Sequence, residues 1–402
     1  MQHRSMRRSS KWLFAAALCC AALPSLAQDT PSHDTAGKVA PGKPGARTAA
    51  SSNRAAIDAY VRARRAYEDE ASAYWQSVTD KRRARFAKRR SNETIALDDY
   101  VLTQPPLYSG PARPPGYIAP RRDPTQPRLP IPTIADFLRA AAAQYSFVPD
   151  RPKTETEFKQ AYAKVAAGAG LTREQAVRIY AFETGGNGTY DGQAGIVGNN
   201  RKGARPISPA MGYNQLLSTN TVSLLAEHGD KFIAALTASA ATLEGAERKA
   251  MDHKIATLRK MVAFSRTVPN AWSEHDKLAK TTQGGMGIHA AVLDRDIGPL
   301  LQTQKLLDSV LFARMKGYMQ PLSAAELELM NFTGDGNGFD LVTMPQELRE
   351  RVPTSNFFQR GGYERNPIAR RTGTVAALFA AIETKMDRAS QAPGAKDLAE
   401  AF

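Results

Sequence analysis

Most of the chain after residue 133 repeats its apolar side chains at helical spacing. Apolar residues return every three or four positions, and runs that alternate apolar with polar residues are nearly absent. This period is typical of amphipathic helices, so the expected fold class is mainly α. Thr172 and Ser323 precede Glu174 and Glu326 as helix N-caps would. We predict helices near residues 134–146, 155–168, 172–184, 215–228, 230–242, 243–265, 287–303, 304–318, 323–331 and 366–388.

Residues 54–90 also have a helical pattern, but a highly charged one. Tyr60, Tyr67 and Tyr74 are spaced by seven, which places them on one stripe of a helix, and seven of the ten residues 81–90 are basic. Two interpretations remain open. The stripe docks a solvated helix on the main domain, or the helix is an arm that anchors the protein to cell wall or membrane.

Prolines dominate the segment from residue 102 to residue 132. Their density excludes a helix and a central strand, because proline lacks the backbone N–H that both structures use. We therefore expect an extended strap, with Tyr108 and Tyr117 as the side chains that fix it to the surface of the domain.

The amino terminus has the composition of an export signal. Basic residues between Arg4 and Lys11 precede the apolar stretch 12–23, and Ser25-Leu26-Ala27 provides a small-residue cleavage site. Residues 28–52 are rich in Gly, Pro, Ala, Ser and Thr, which is typical of a disordered linker. No later segment contains the roughly 20 apolar residues of a membrane helix, so we expect a soluble protein, periplasmic or secreted.

Composition narrows the chemistry further. The chain's only two cysteines, Cys19 and Cys20, lie in the export signal, so cleavage near Ala27 would exclude disulfides and cysteine nucleophiles. Cleavage would also remove four basic residues and no acidic one, which lowers the formal charge from +15 to +11. Such a charge on an exported protein favours an anionic wall polymer or membrane surface as partner, and export argues against nucleic acid.

One carboxylate has the setting of a general acid. Glu183 stands at the end of the predicted helix 172–184, whose other face is apolar, and the segment ETGGNG (183–188) ends that helix. Desolvation at such a position favours a protonated carboxyl group. Protonation of a glycosidic oxygen at neutral pH requires that form.

Two later segments complete a recognisable order of motifs. SPAMGYNQLL (208–217) is followed by LMNFTGDGNG (329–338). With the segment at Glu183, they resemble the Slt-type lytic transglycosylases, over residues 135 to 390. That family has a Glu-Ser/Thr helix end, a Ser-x-x-Gly-Ala-x-Gly-x-Met-Gln segment and an aromatic-Asn-x-Gly loop. Here Ala210, Gly212 and Gln215 match, Ser208 is out of register, and Met330 replaces the aromatic residue.

The resemblance implies a fold and an activity. It implies a lysozyme-like helical domain that cleaves the β-1,4 bond between MurNAc and GlcNAc in peptidoglycan glycan strands. Glu183 would act as acid and then as base, while the substrate's own 6-hydroxyl forms a 1,6-anhydro product. No second acid is predicted in a comparable setting. The alternatives are a muramidase that hydrolyses the bond with water, and a non-catalytic wall-binding or assembly protein that keeps the fold.

The same resemblance implies substrate-binding residues. We expect Gln215, Ser208, Tyr213, Asn331 and Tyr363 at the cleft, although each also has a structural interpretation. Gln215 would otherwise face water at a helix start, Ser208, Tyr213 and Asn331 would stabilise turns, and Tyr363 would pack in the core. The scattered histidines predict no zinc site, and Gln346 stands where a calcium loop starting at Asp335 would need glutamate. We expect no metal and no cofactor.

The predicted domain organisation follows from these segments. It consists of a signal peptide (1–27), a linker (28–52), the basic helix with the Pro-rich strap (53–133), the lysozyme-like transglycosylase domain (134–390) and a tail (391–402).

Overall fold

The computed structural model describes residues 45–119, 130–196 and 205–402, with side chains from residue 53. The predicted export signal and most of the linker lie outside these ranges. The described chain is mainly helical and contains no strand, as the apolar period predicts; its extended pairs are three isolated bridges. Within these ranges, no helix combines the length and the apolar character that crossing a membrane requires.

Sixteen α-helices lie in the described ranges: α1 (Gly45–Arg90), α2 (Ile134–Tyr145), α3 (Glu155–Gly168), α4 (Arg173–Thr184), α5 (Ser218–Ala240), α6 (Gly245–Ser265), α7 (Trp272–Thr281), α8 (Gln283–His289), α9 (Ile297–Met315), α10 (Ala324–Thr333), α11 (Asp335–Val342), α12 (Gln346–Arg349), α13 (Arg360–Arg365), α14 (Pro367–Thr372), α15 (Val375–Ala389) and α16 (Pro393–Glu400). Short 3₁₀ turns cover Leu97–Asp99, Ala290–Leu293 and Thr354–Phe357.

The helices enclose two apolar cores. The first lies among α3, α4, α9, α10 and α15, and its fully buried side chains include Ile179 and Leu329. The second lies among α2, α5, α6 and α8, around Phe137 and Phe232. Tyr190, in the loop after α4, packs against both cores. That loop therefore lies where the two apolar cores meet.

Helix α1 docks on the main domain through both its aromatic and its basic residues. Trp75 packs against Tyr363, with 5.4 Å between ring centroids, and the hydroxyl groups of Tyr74 and Ser355 are 2.6 Å apart. Arg85 is fully buried and donates from Nε to Asp340 Oδ2 at 3.0 Å. Part of the basic segment predicted as solvated thus lies inside the molecule.

The described part of the Pro-rich segment runs without helix or strand along α1. Tyr108 packs edge-to-face on Tyr60 and Tyr67, and Tyr117 packs edge-to-face on Tyr60, with ring centroids 5.1 to 6.1 Å apart. The two tyrosines predicted as anchors therefore contact the tyrosine stripe of α1.

Two predictions about the second half of the domain are wrong. The Gly-rich segment from Asp335, which lies outside every predicted helix, forms α11, because Gly338 allows close approach to α10: a Cβ atom there would overlap the backbone of Met330. The last residues, predicted as a tail, form α16, whose Ala395 and Leu398 are fully buried against α3 and α4. The domain therefore extends beyond residue 390.

Candidate functional site

Helix α4 places Glu183 in its last turn. The helix begins with a capping box in which Thr172 and Gln175 satisfy each other's backbone N–H groups, and it ends at Gly185 in a left-handed conformation with φ of 69°. Its apolar face, including Ile179 and Phe182, is buried in the first core. Glu183 itself is half-buried, between that core and the solvent.

The third sequence motif meets Glu183 directly. Asn331 lies in the last turn of α10 and not in the loop that the resemblance implies, and its Nδ2 donates to Glu183 Oε1 at 3.2 Å. Next to this bond, Phe182 and Phe332 pack edge-to-face with ring centroids 6.4 Å apart. Residues separated by nearly 150 positions are thus held together by hydrogen bonding and aromatic packing.

A second carboxyl group lies on the other side of Asn331. Glu328, one helical turn earlier on α10, is fully buried, and its Oε2 accepts from the same Asn331 Nδ2 at 3.4 Å. Its other oxygen, Oε1, has no hydrogen-bond partner. The prediction that no second acid shares the setting of Glu183 is therefore wrong.

The environment of Glu328 favours its neutral form. Burial raises its pKa well above the usual range, and the neighbouring Glu183 carboxylate raises it further. Lys305 and Lys385 oppose this effect. A sequence signal for the residue did exist: Glu328 is the one charged position in the apolar run Leu327 to Met330. Only the fold, however, places it beside Glu183.

The loop after Glu183 is fixed at several points. Tyr180 donates from its hydroxyl to Gly188 O at 2.8 Å, and Asn187 Oδ1 accepts from the backbone N–H of Gly394 on α16 at 3.0 Å. Gly186 has φ of 78°, and a Cβ atom there would overlap the carbonyl oxygen of Ala389. Helix α16 thus helps to hold the segment that follows the carboxylate.

The second sequence motif forms a compact turn. Ser208 is buried, and its Oγ accepts from the N–H of Ala210 at 3.2 Å. Gln215 is half-buried, has φ of 43°, and donates from Nε2 to Gly212 O at 2.8 Å. Both interactions stabilise the turn itself. For Ser208 this is the turn-stabilising role given above as its structural interpretation. Gln215 lies before α5 and does not start that helix.

Tyr213, expected at the cleft, lies in the interior. It is fully buried, packs edge-to-face on Phe158, Tyr162 and Tyr180, and donates from its hydroxyl to Glu155 at the start of α3. Burial, followed by the Glu155 charge, raises its pKa. In this conformation it offers no surface to a sugar, and the reason is that the motif folds back against α3.

Tyr363, expected to stack on a sugar, is also buried. Its ring lies between Trp75 of α1 and Phe358, with centroids 5.4 and 6.2 Å away. The docking of α1 covers the face that would have met a sugar. The structure therefore brings together Glu183 and Asn331 among the predicted site residues, and it places Tyr213 and Tyr363 in the core.

Two acidic clusters contain residue types that can bind metal ions. Among the described residues, Glu227, His228 and Asp308 place one ligand atom each within 4.8 Å of one another, and His228 Nε2 is 2.8 Å from Asp308 Oδ1. A direct contact between the imidazole of His228 and the carboxyl group of Asp308 accounts for that distance. Asp335 and Asp340 do not form a calcium loop, because Asp335 accepts from Ser309 Oγ at 2.6 Å and Asp340 pairs with Arg85 and Arg89.

A concavity of about 420 Å³ lies elsewhere, between the first half of α4 and the helices α15 and α16. Neither Glu183 nor Asn331 is among its lining residues, which are Arg173, Glu174, Val177, Arg178, Asp387, Ser390, Gln391 and Ala399. The concavity therefore does not define the candidate site.

The arrangement around Glu183 can perform acid–base chemistry. A half-buried carboxyl group is oriented by an amide donor, and a second, fully buried carboxyl group lies beside it. Such a group can give a proton to a substrate and take one back. In comparisons with known proteins, no family model, no curated protein and no solved structure matches this chain.

Proposed function

We propose that this protein is an exported peptidoglycan lytic transglycosylase in which Glu183 is the general acid and then the general base. The observation that carries the proposal is the hydrogen bond from Asn331 to Glu183. These are the residues that the resemblance to Slt-type lytic transglycosylases assigns to the first and third motifs. Their contact supports a common site.

The chemistry requires one carboxyl group in two protonation states. Protonated Glu183 gives its proton to the glycosidic oxygen as the bond from the MurNAc anomeric carbon to that oxygen breaks. The resulting carboxylate then takes the proton of the MurNAc 6-hydroxyl, whose oxygen bonds to the anomeric carbon. The products are a free GlcNAc 4-hydroxyl and a 1,6-anhydro ring, and Glu183 is protonated again.

The burial of Glu328 favours this reaction over hydrolysis by two carboxylates. In the common glycoside hydrolases, a second carboxylate attacks the sugar or activates water, so it must reach the substrate. Glu328 is fully buried and cannot do either. One accessible carboxyl group is sufficient when the substrate supplies its own hydroxyl.

The proposed partner surface is the exposed side of α1. Arg82 and Arg85 are used in docking, but other basic residues of the helix are exposed: Arg54, Arg62, Arg65, Arg83 and Arg90. These charges would orient the enzyme on the anionic wall, with an attraction that salt weakens. Periplasmic or secreted localisation is part of the same proposal.

Mass analysis of the products tests the reaction type. The full-length protein without its predicted signal is incubated with purified peptidoglycan, and the released muropeptides are analysed. Anhydro ends are expected. Reducing MurNAc ends would establish the muramidase alternative instead, and binding without any released muropeptide would support the non-catalytic alternative.

A further inference from the structure

Glu328 has contacts that packing alone does not explain. Its carboxyl group is fully buried on α10, Oε2 shares the Asn331 amide with Glu183, and Oε1 has no hydrogen-bond partner. A buried polar group without a partner destabilises a fold, so an apolar residue would be the more stable choice here. This cost indicates that the carboxyl group has a role in the site.

The charges around Glu328 come from three neighbouring helices. Helix α4 contributes Glu183, α9 contributes Lys305, and α15 contributes Lys385. Lys305 Nζ donates to Asn214 O at 2.7 Å, and Lys385 Nζ lies 3.6 Å from the ring centroid of Phe182, so both ammonium groups also have other contacts.

Helix α11 also packs on α10, but its acids are engaged elsewhere. Asp335 is bonded by Ser309, and Asp340 is paired with Arg85 and Arg89. Among the described residues, the main charges that bear on Glu328 are therefore one carboxylate and two ammonium groups.

We propose, on the basis of the proposed function, that Glu328 is a positioning residue that forms a carboxyl pair with Glu183 across Asn331, and that the pair carries one negative charge and one proton during activity. Two carboxylates on either side of one amide repel each other, and the buried one lacks a donor for Oε1. One of the two groups therefore stays protonated.

The pair titrates as a unit. A single carboxyl group loses its proton in one step as the pH rises. A coupled pair loses two protons in two separate steps, and the second step lies at higher pH. Activity that depends on the last proton of the pair should then persist to higher pH than a lone carboxyl group allows.

The test is the pH profile of Glu328→Gln. The amide has the shape of the carboxyl group but does not ionise, so the pair is reduced to Glu183 alone. We expect the alkaline limb of kcat/KM on soluble glycan strands to move down by about one pH unit, with little change in KM. A fall by one constant factor at every pH would overturn the proposal, because it would indicate a purely structural role.

A second measurement needs no activity and separates this proposal from the proposed function. Folded Glu328 keeps its proton above the pKa of about 4.3 that glutamate has in the unfolded chain. Its contribution to stability is therefore fully present below that pH and is lost as the pH rises toward the folded pKa. Thermal unfolding of Glu328→Gln should show a smaller loss of stability between pH 5 and pH 8 than the wild type.

Glu347→Gln, at an exposed position on α12, is the control and should follow the wild type. If wild type and Glu328→Gln lose stability equally with pH, the carboxyl pair is refuted whether or not the protein cleaves peptidoglycan. If the pH dependence differs as expected but no cleavage occurs, the pair is supported and the proposed reaction fails.

Discussion

At the residue scale, the site depends on one amide nitrogen. Asn331 Nδ2 has two hydrogens and two carboxyl acceptors, Glu183 at 3.2 Å and Glu328 at 3.4 Å. The amide therefore sets the direction in which the Glu183 carboxyl group points. It also separates two groups that would otherwise repel each other.

We predict that Asn331→Ala lowers kcat about 100-fold and leaves KM nearly unchanged, because the substitution removes a donor that orients the carboxyl group and removes no sugar contact. Steady-state kinetics on soluble glycan strands measures both parameters. Asn337→Ala removes a buried amide on α11 that bonds Thr333 O, and it serves as the matched control for lost stability. A raised KM with unchanged kcat would assign Asn331 to sugar binding instead.

Local sequence motifs pointed to part of this site. Glu183 and Asn331 could be selected because each stands in a local motif, and their contact agrees with that selection. Tyr213 and Tyr363 have motif positions as well, but their burial depends on α3 and α1, which are distant in sequence. Glu328 was missed because the sequence around one acid on a helix does not show which residues of three other helices lie next to it.

At the element scale, the end of α4 and the start of the next loop determine where Glu183 lies. Gly185 and Gly186 both have positive φ, of 69° and 78°. A Cβ atom at Gly185 would meet nothing, whereas one at Gly186 would overlap the Ala389 carbonyl at the end of α15. Substitution of Gly185 therefore tests the backbone conformation alone, whereas substitution of Gly186 tests the close packing as well.

Gly185→Ala should lower the free energy of unfolding by about 1 kcal/mol, the cost of the left-handed conformation. Gly186→Ala should cost a further 1–3 kcal/mol, roughly, because α15 and α16 must also shift. Urea unfolding measures both, and wall digestion should fall more for Gly186→Ala at a temperature where both variants are folded. Equal effects would show that the close packing of Gly186 against Ala389 does not brace the site.

Helical periodicity predicted many element boundaries, and its failures have physical causes. Helices α2, α3, α4, α6 and α10 lie within about two residues of their predicted positions, because each has an apolar face or a cap of its own. Helix α11 was missed because glycines normally disfavour helices, and here Gly338 permits contact with Met330. Residues 218–240 form one helix where two were predicted.

At the scale of the whole molecule, α1 is the basic amino-terminal helix, and it docks on the domain that contains the candidate site. Arg85 and Asp340 form a buried ion pair, half-buried Arg89 also pairs with Asp340, and Arg82 donates to Phe358 O at 2.6 Å. The charge of this segment suggested a solvated face, but a guanidinium group can satisfy several carbonyl oxygens and a carboxylate at once. The sequence alone does not show which arginines have such partners.

Arg85→Ala should destabilise the protein by about 3–5 kcal/mol, since it leaves the buried Asp340 carboxylate without its fully buried partner. Arg83→Ala, two residues away with a mostly exposed side chain, should change stability by less than about 0.5 kcal/mol. Chemical unfolding measures both variants, and limited proteolysis should release α1 from Arg85→Ala first. Equal stability of the two variants would refute docking through Arg85.

The most direct test of the central claim compares peptidoglycan digestion by the wild type, Glu183→Gln and Glu174→Gln, with binding to the sacculi measured in parallel. Glu174 is an exposed acid on the same helix, so its substitution controls for the lost charge. The account predicts that Glu183→Gln binds sacculi normally and releases no anhydro-muropeptides, while Glu174→Gln digests like the wild type. Undiminished release of anhydro-muropeptides by Glu183→Gln would contradict it.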